Sequence, residues 1–372
     1  MPLHRTVTCA LGNIERNVMK EIVALKVGEL TAKIPVVQGG MGVGISLSSL
    51  AGNVALCGGV GVISSAQIGY RDPKWDVSPI ETNLRVLKEE ICKAKDIAKG
   101  NGIVAVNIMV ATRFYEKYVK AAVDAGVDLI ISGAGLPVEL PEFVKNTKTK
   151  IAPIVSSVKS FDVIAKYWTK KYHRLPDMVV VEGPLAGGHL GFKKEELDDI
   201  DSLCYEEEIE KIITRVRSVE QENRIPVVVA GGIYDGKDAV PYFEMGADGV
   251  QVATRFVTTH ECDADIKYKE AYIAAKKEDI AIVKSPVGMP GRAIYNQFLK
   301  QVEKGERFLS KCHQCITKCN PAEIPYCITD ALINAAKGNT EEGLLFCGAN
   351  AYKAMKIEHV SDIMKEFEEE LS

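Results

Sequence analysis

The sequence predicts an α/β protein: a (β/α)8 barrel with a mainly helical C-terminal extension that carries a cysteine cluster. Three observations carry that prediction. Eight short apolar, β-branched runs recur between residues 34 and 255, each ending in glycine or a small polar residue. The runs are continuous rather than alternating, as suits strands buried on both faces of a parallel sheet. Helix-like segments separate them, which indicates right-handed βαβ units. Eight units over about 220 residues fit a barrel of typical size. An open doubly wound sheet fits less well, because GGMGVG and GGVGVI lack the Gly-x-Gly-x-x-Gly spacing that such a sheet places after a strand.

Residues 1–30 form an N-terminal extension, and LKVGELTAKIP reads as a small hairpin closing the barrel floor. The eight strands come next: IPVVQGG (34–40), VGVISS (60–65), IVAVNIM (103–109), DLIISGAG (128–135), IAPIVSS (151–157), DMVVVEG (177–183), IPVVVAGG (225–232) and DGVQVATR (248–255). NLRVLKEEICKAKDIAKG, EKYVKAAVDAG, SFDVIAKYWTKKY and YEEEIEKIITRVRSVEQEN read as connecting helices, and YRDPKWDVSPIET (70–82) as a longer loop after strand two. The barrel and a lid segment occupy 31–300, and the cysteine-rich helical extension occupies 301–372.

Composition narrows the function classes. Of the 372 residues, 47% are hydrophobic and 26% charged, with a net charge of −4, so the chain reads as globular and without the basic stripe of a nucleic-acid or membrane-surface binder. It contains no apolar run of transmembrane length. The N-terminus lacks the apolar core of a signal peptide, and a cytoplasmic location is expected. Ten cysteines are many for that compartment; disulfides are disfavoured there, so clustered cysteines point to metal or redox chemistry.

Active sites of (β/α)8 barrels lie at the strand C-termini. Those ends are mostly small here: Gln38-Gly39-Gly40-Met41, Ser64-Ser65, Asn107, Ser132 to Gly135, Ser156-Ser157, Glu182-Gly183, Ala230-Gly231-Gly232 and Ala253-Thr254-Arg255. Such a mouth suits a large flat ligand held by backbone. The exits of strands seven and eight often bind phosphate. Gly231 and Gly232 can turn bare amides to an anion, and Thr254 adds a hydroxyl near a helix N-terminus. His189 lies past strand six in AGGHLG, where Gly187 and Gly188 let backbone approach a ligand; imidazole suits a general acid or base. A barrel enzyme acting on a sugar phosphate without redox chemistry shares the phosphate loops but needs a lysine or paired carboxylates at the mouth, where only Glu182 stands. A non-catalytic cysteine scaffold leaves the mouth pattern unexplained.

The ordered set VVQGGMG, VNIM, GAG, EGPLAGGH, VVVAGGI and GADGVQVATRF resembles the nitronate monooxygenase (2-nitropropane dioxygenase) family, which includes the FMN-dependent enoyl-ACP reductase II enzymes, over residues 34–300. The resemblance implies a TIM barrel holding FMN, with the phosphate at Gly231, Gly232, Ala253 and Thr254. It implies the isoalloxazine near Gly39, Gly40, Met41, Asn107 and Gln251, with Glu182, Gly187 and Gly188 beside it and His189 as the catalytic histidine. Oxidation of an alkyl nitronate through the flavin is the expected activity. Reduction of an enoyl thioester by NAD(P)H is the alternative. APIVSSVKS lacks the His-Lys pair of some nitronate enzymes. A small-molecule substrate and a homodimer are expected, with no nucleic acid or membrane partner.

The tail motif KCHQCITKCNPAEIPYC places Cys312, Cys315, Cys319 and Cys327 at Cys-x2-Cys-x3-Cys-x7-Cys spacing. Four thiolates suit a [4Fe–4S] cluster or zinc. The start of the motif resembles the cluster segment appended to flavin barrels of the 2,4-dienoyl-CoA reductase type. Reduced thiols in a helical appendage are the alternative.

Overall fold

The computed structural model describes residues 23–372; His4, Cys9 and most of the N-terminal extension lie outside the described residues. In chain order the elements are β1 (Leu25–Val27), β2 (Leu30–Ala32), β3 (Val36–Gln38), α1 (Ser48–Leu56), β4 (Val60–Ser64), α2 (Pro79–Ala98), β5 (Ile103–Asn107), α3 (Tyr115–Asp124), β6 (Leu129–Ser132), α4 (Leu140–Phe143) and β7 (Lys150–Val155). They continue with α5 (Val158–Tyr172), β8 (Val179–Glu182), β9 (Gly188–His189), α6 (Lys194–Asp198), α7 (Tyr205–Val219), β10 (Val227–Ala230), α8 (Gly236–Glu244), β11 (Gly249–Val252) and α9 (Thr254–Val257). The last are α10 (Ile266–Ala274), β12 (Ile280–Lys284), β13 (Pro290–Ile294), α11 (Gln297–Glu303), α12 (Ile328–Ala336) and α13 (Val360–Leu371).

β3, β4, β5, β6, β7, β8, β10 and β11 form a closed parallel barrel, with β11 pairing back onto β3. These are the eight runs read from the sequence. Their continuous apolar character has the expected cause: alternate residues face opposite layers. Along β8, Val180 joins the barrel interior with Val62, Ala105, Ile131 and Val228, whereas Val179 and Val181 join the layer under the helices with Phe161, Trp168 and Ile212. The hairpin β1–β2 adds Leu25, Val27 and Ala32 to the interior cluster, which plugs the floor.

Three aspartates keep the strand starts in register. Asp128, Asp177 and Asp248 accept the amides of Val104, Ile151 and Val227 at 3.0, 2.8 and 2.7 Å. Each precedes one strand and satisfies a donor at the start of its neighbour, where the ladder alone leaves a buried group unpaired.

The helices begin and end on local chemistry. α2 has proline in its first turn and stops at left-handed Lys99 followed by Gly100 at φ 78°. Ser157 caps α5 by accepting the Ser160 amide. Beyond β11 the chain is less helical than expected: β12 and β13 form an antiparallel hairpin, and β9 adds as a third strand. The alternating residues of IAIVK and PGRAI suit a hairpin closed by the turn SPVGM. The terminal helix α13 buries Val360, Ile363, Met364 and Phe367 in the layer shared with α1 and α8. Arg255, 4% exposed, pairs with Glu358 and Glu366, tying the exit of β11 to that terminal segment.

Candidate active site

The strand exits gather the predicted residues at one barrel mouth. Gly39 donates to the Val252 carbonyl at 2.9 Å. A Cβ on Gly39 would stand 3.3 Å from Ala253 Cβ and 3.4 Å from Gln251 Cδ, and one on Gly40 only 2.5 Å from Asn107 Cβ. Gly39, Gly40, Asn107, Gln251 and Ala253 therefore meet, and the glycines permit the approach. Gln38 is fully buried and accepts the Val62 amide at 3.1 Å, which holds this corner. Met41 is turned away toward the outer apolar layer that contains Val252 and Phe256.

At the exits of β10 and β11, Gly231 and Gly232 take left-handed φ of 107° and 80°. A cavity of about 350 Å³ opens between Gly183, Leu185 and Gly231 at these exits and Tyr205, Ile209 and Tyr242 of the helical layer. Thr254 begins α9, and its hydroxyl accepts the Gly348 amide at 3.0 Å. Asn350 Nδ2 donates to the Gly232 carbonyl at 2.6 Å, and the Ala349 amide donates to Leu185 at 3.1 Å. The 348–350 turn therefore folds onto the two glycine-rich exits. A Cβ on Gly187 would stand 2.6 Å from the Cys347 carbonyl carbon, so that glycine admits the turn, whereas Gly188 faces open space.

His189 is half-buried on β9, opposite Gly291 of β13. Its Nε2 lies 2.7 Å from the Ser285 hydroxyl, and its ring meets Phe346 edge-on at 4.9 Å. Burial lowers its pKa to about 4, so the imidazole is neutral at physiological pH. At the end of β8, burial raises Glu182 to about 7, and no ion pair among the described residues offsets it. Arg292, 4% exposed, donates Nη1 to the Pro184 carbonyl at 2.8 Å and also to that of Ala186. No carboxylate among the described residues pairs with this guanidinium. An unpaired buried cation is costly and fits a site that receives an anion.

Ser285, Arg292, Phe346, Gly348 and Asn350 were missed as site residues. They lie beyond the eighth strand, where strand-end logic does not reach. SPVGMPGR, a glycine- and proline-rich turn with a serine and an arginine, was the available signal. The four cysteines stand apart from His189, on a segment laid over the exits of β4 and β5.

No helix among the described residues is long and apolar enough to cross a membrane. Residues 24–370 match the family model described as nitronate monooxygenase. A probable nitronate monooxygenase of Staphylococcus saprophyticus subsp. saprophyticus is 28% identical over 298 residues, 74% of this chain and 80% of that protein. The structure of FabK from Thermotoga maritima aligns with TM-score 0.65 at 25% identity, covering 91% of this chain and 92% of that one. A nitroalkane oxidase from Streptomyces ansochromogenes shares the fold, with TM-score 0.68 at 18% identity over 91% of this chain and 95% of its own. With the closed barrel, the histidine and the glycine-lined mouth in one place, the match across nearly the whole described chain shows that it is an oxidoreductase belonging to the nitronate monooxygenase family.

Proposed function

We propose that the protein is an FMN-dependent oxidoreductase that oxidises alkyl nitronates, with His189 as the acid/base residue that takes the α-carbon proton of the neutral nitroalkane to give the nitronate. The observation that carries this reading is the buried, neutral His189 imidazole at the mouth, with a pKa lowered to about 4. At neutral pH such a ring is unprotonated and so is available as a base, although the burial that keeps it neutral also weakens its basicity. Its Nε2 is engaged by Ser285, and among the described residues nothing bonds Nδ1. With Nε2–H donating to Ser285, the Nδ1 lone pair is left for substrate. Phe346 restricts the ring from its edge.

The residues fit FMN. Glycine at 39 and 40 lets the β3 exit lie flush against Ala253, Gln251 and Asn107 with no side chain projecting from it, which suits a flat ring. Gly231, Gly232, Ala253 and Thr254 would hold the phosphate, with the Arg292 guanidinium supplying a buried positive charge. Glu182, Gly187 and Gly188 would lie beside the ring on the histidine side. FMN bound there would supply the redox chemistry that carries the substrate's electrons to dioxygen.

Anaerobic mixing of the purified protein with an alkyl nitronate, and separately with NAD(P)H, tests the reading. Bleaching of the flavin by nitronate alone supports it. His189→Ala should keep FMN and lose at least about 100-fold in turnover, the usual weight of general base catalysis. Full activity in that variant removes the histidine from the mechanism. A second reading, NAD(P)H-dependent reduction of an enoyl thioester, is favoured by the cysteine-rich segment at the mouth, which suits electron input rather than use of dioxygen. Bleaching by NAD(P)H alone selects it.

A further inference from the structure

The flavin chemistry leaves Cys312, Cys315, Cys319 and Cys327 without a role. All four are free thiols on one segment, and that segment is docked rather than trailing. The Arg113 amide donates to the Cys315 carbonyl at 3.0 Å, and the Thr317 amide donates to Ala111 at 3.1 Å. Thr112 and Ile316 form a β-bridge. Lys311 Nζ donates to the Asp76 carbonyl at 3.1 Å, and the His313 ring stacks on Trp75 at 4.7 Å. Trp75 is itself held by the fully buried Asn83, which bonds Trp75 Nε1 at 3.1 Å and the Tyr118 hydroxyl at 2.9 Å. The seat is therefore built by the loops leaving β4 and β5, the second of which starts at Asn107.

We propose that Cys312, Cys315, Cys319 and Cys327 hold a [4Fe–4S] cluster over the loop that leaves Asn107. Sulfur spacing separates this site from a mononuclear one. A single zinc ion with bonds of about 2.3 Å draws its sulfurs to about 3.8 Å from one another. Among the described residues no three of these sulfurs lie within 4.8 Å of one another. The His313–Asp330 contact at 2.7 Å nevertheless folds the 312–315 stretch onto Cys327, whose sulfur lies within 4.8 Å of both partner atoms. The sulfurs are too open for one ion, and the two halves of the motif are held together.

His313, Cys327 and Asp330 do bring one ligand atom each within 4.8 Å. His313 and Asp330 satisfy each other at 2.7 Å, however, and that trio leaves the other three cysteines unexplained.

Cys312 is exposed and Cys315 half-buried, so the cluster would meet solvent on one side and the loops leaving β4 and β5 on the other. This role rests on the reductase reading: the cluster would take one electron at a time from an external one-electron donor and pass it on, and two such transfers would supply the pair that the reduction consumes.

The test uses the full chain produced and purified anaerobically, with iron and acid-labile sulfide counted per chain and electron paramagnetic resonance recorded after dithionite reduction. About four irons and four sulfides, with a reduced-cluster signal, are expected. Cys315→Ser should lower bound iron at least about fourfold, with circular dichroism and flavin content unchanged. Stoichiometric zinc without sulfide, or no metal in the wild-type chain, overturns the proposal even if the variant fails to fold. Flavin content is read independently, so failure of the cluster and failure of the flavin reading are distinguishable.

Discussion

Glu182→Gln probes how dry the mouth is before flavin binds. Burial raises the Glu182 carboxyl from 4.5 to about 7. At 1.36 kcal/mol per unit, that gap is worth about 3 kcal/mol. The native state holds the proton more tightly than the unfolded chain. Glu182's contribution is therefore complete below about pH 4.5 and is lost as pH rises through about 7. Glutamine resembles the neutral carboxyl and does not titrate. The variant should match wild type near pH 4.5 and exceed it by about 3 kcal/mol at pH 8. The assay is urea unfolding of flavin-free protein at a series of pH values, scored as the difference between the two chains. His189, lowered to about 4, titrates with the opposite sign, and Asp263, raised to about 6, with the same sign as Glu182. Both cancel in the difference. Parallel stability curves across that range would show that the carboxyl is solvated and refute the argument.

Single contacts carry the other predictions. Gly40→Ala places a Cβ 2.5 Å from Asn107, so overpacking should cost about 1–3 kcal/mol and weaken flavin retention; unchanged melting and flavin affinity would show that the corner yields freely. The acid limb of kcat/KM should fall near pH 4 rather than the ordinary 6.5 of histidine, and a limb near 6.5 would mean that His189 is hydrated in the working enzyme. Tyr326 is fully buried and its hydroxyl has no partner among the described residues, so Tyr326→Phe should raise stability by about 1 kcal/mol in thermal unfolding; a loss of that size would reveal a hydrogen bond.

The sequence by itself determined the barrel. Runs such as DMVVVEG and IPVVVAGG are apolar on both faces, and only a strand sandwiched between an interior and a helical layer buries both. The same reasoning located most of the mouth, because a parallel barrel puts every strand's C-terminal end on one side; Gly39, Gly40, Asn107, Gln251 and Ala253 meet for that reason. The chain beyond β11 was less legible. IAIVK and PGRAI are short and of mixed polarity, and their pairing with β9 depends on a contact between residues about a hundred positions apart. Only the tertiary structure placed Ser285 on His189, Arg292 beneath the 184–186 turn and Asn350 on Gly232. Local periodicity records which face of an element is buried. It does not record which distant side chain fills a hydrogen bond, and those long-range partners orient the histidine and close the mouth.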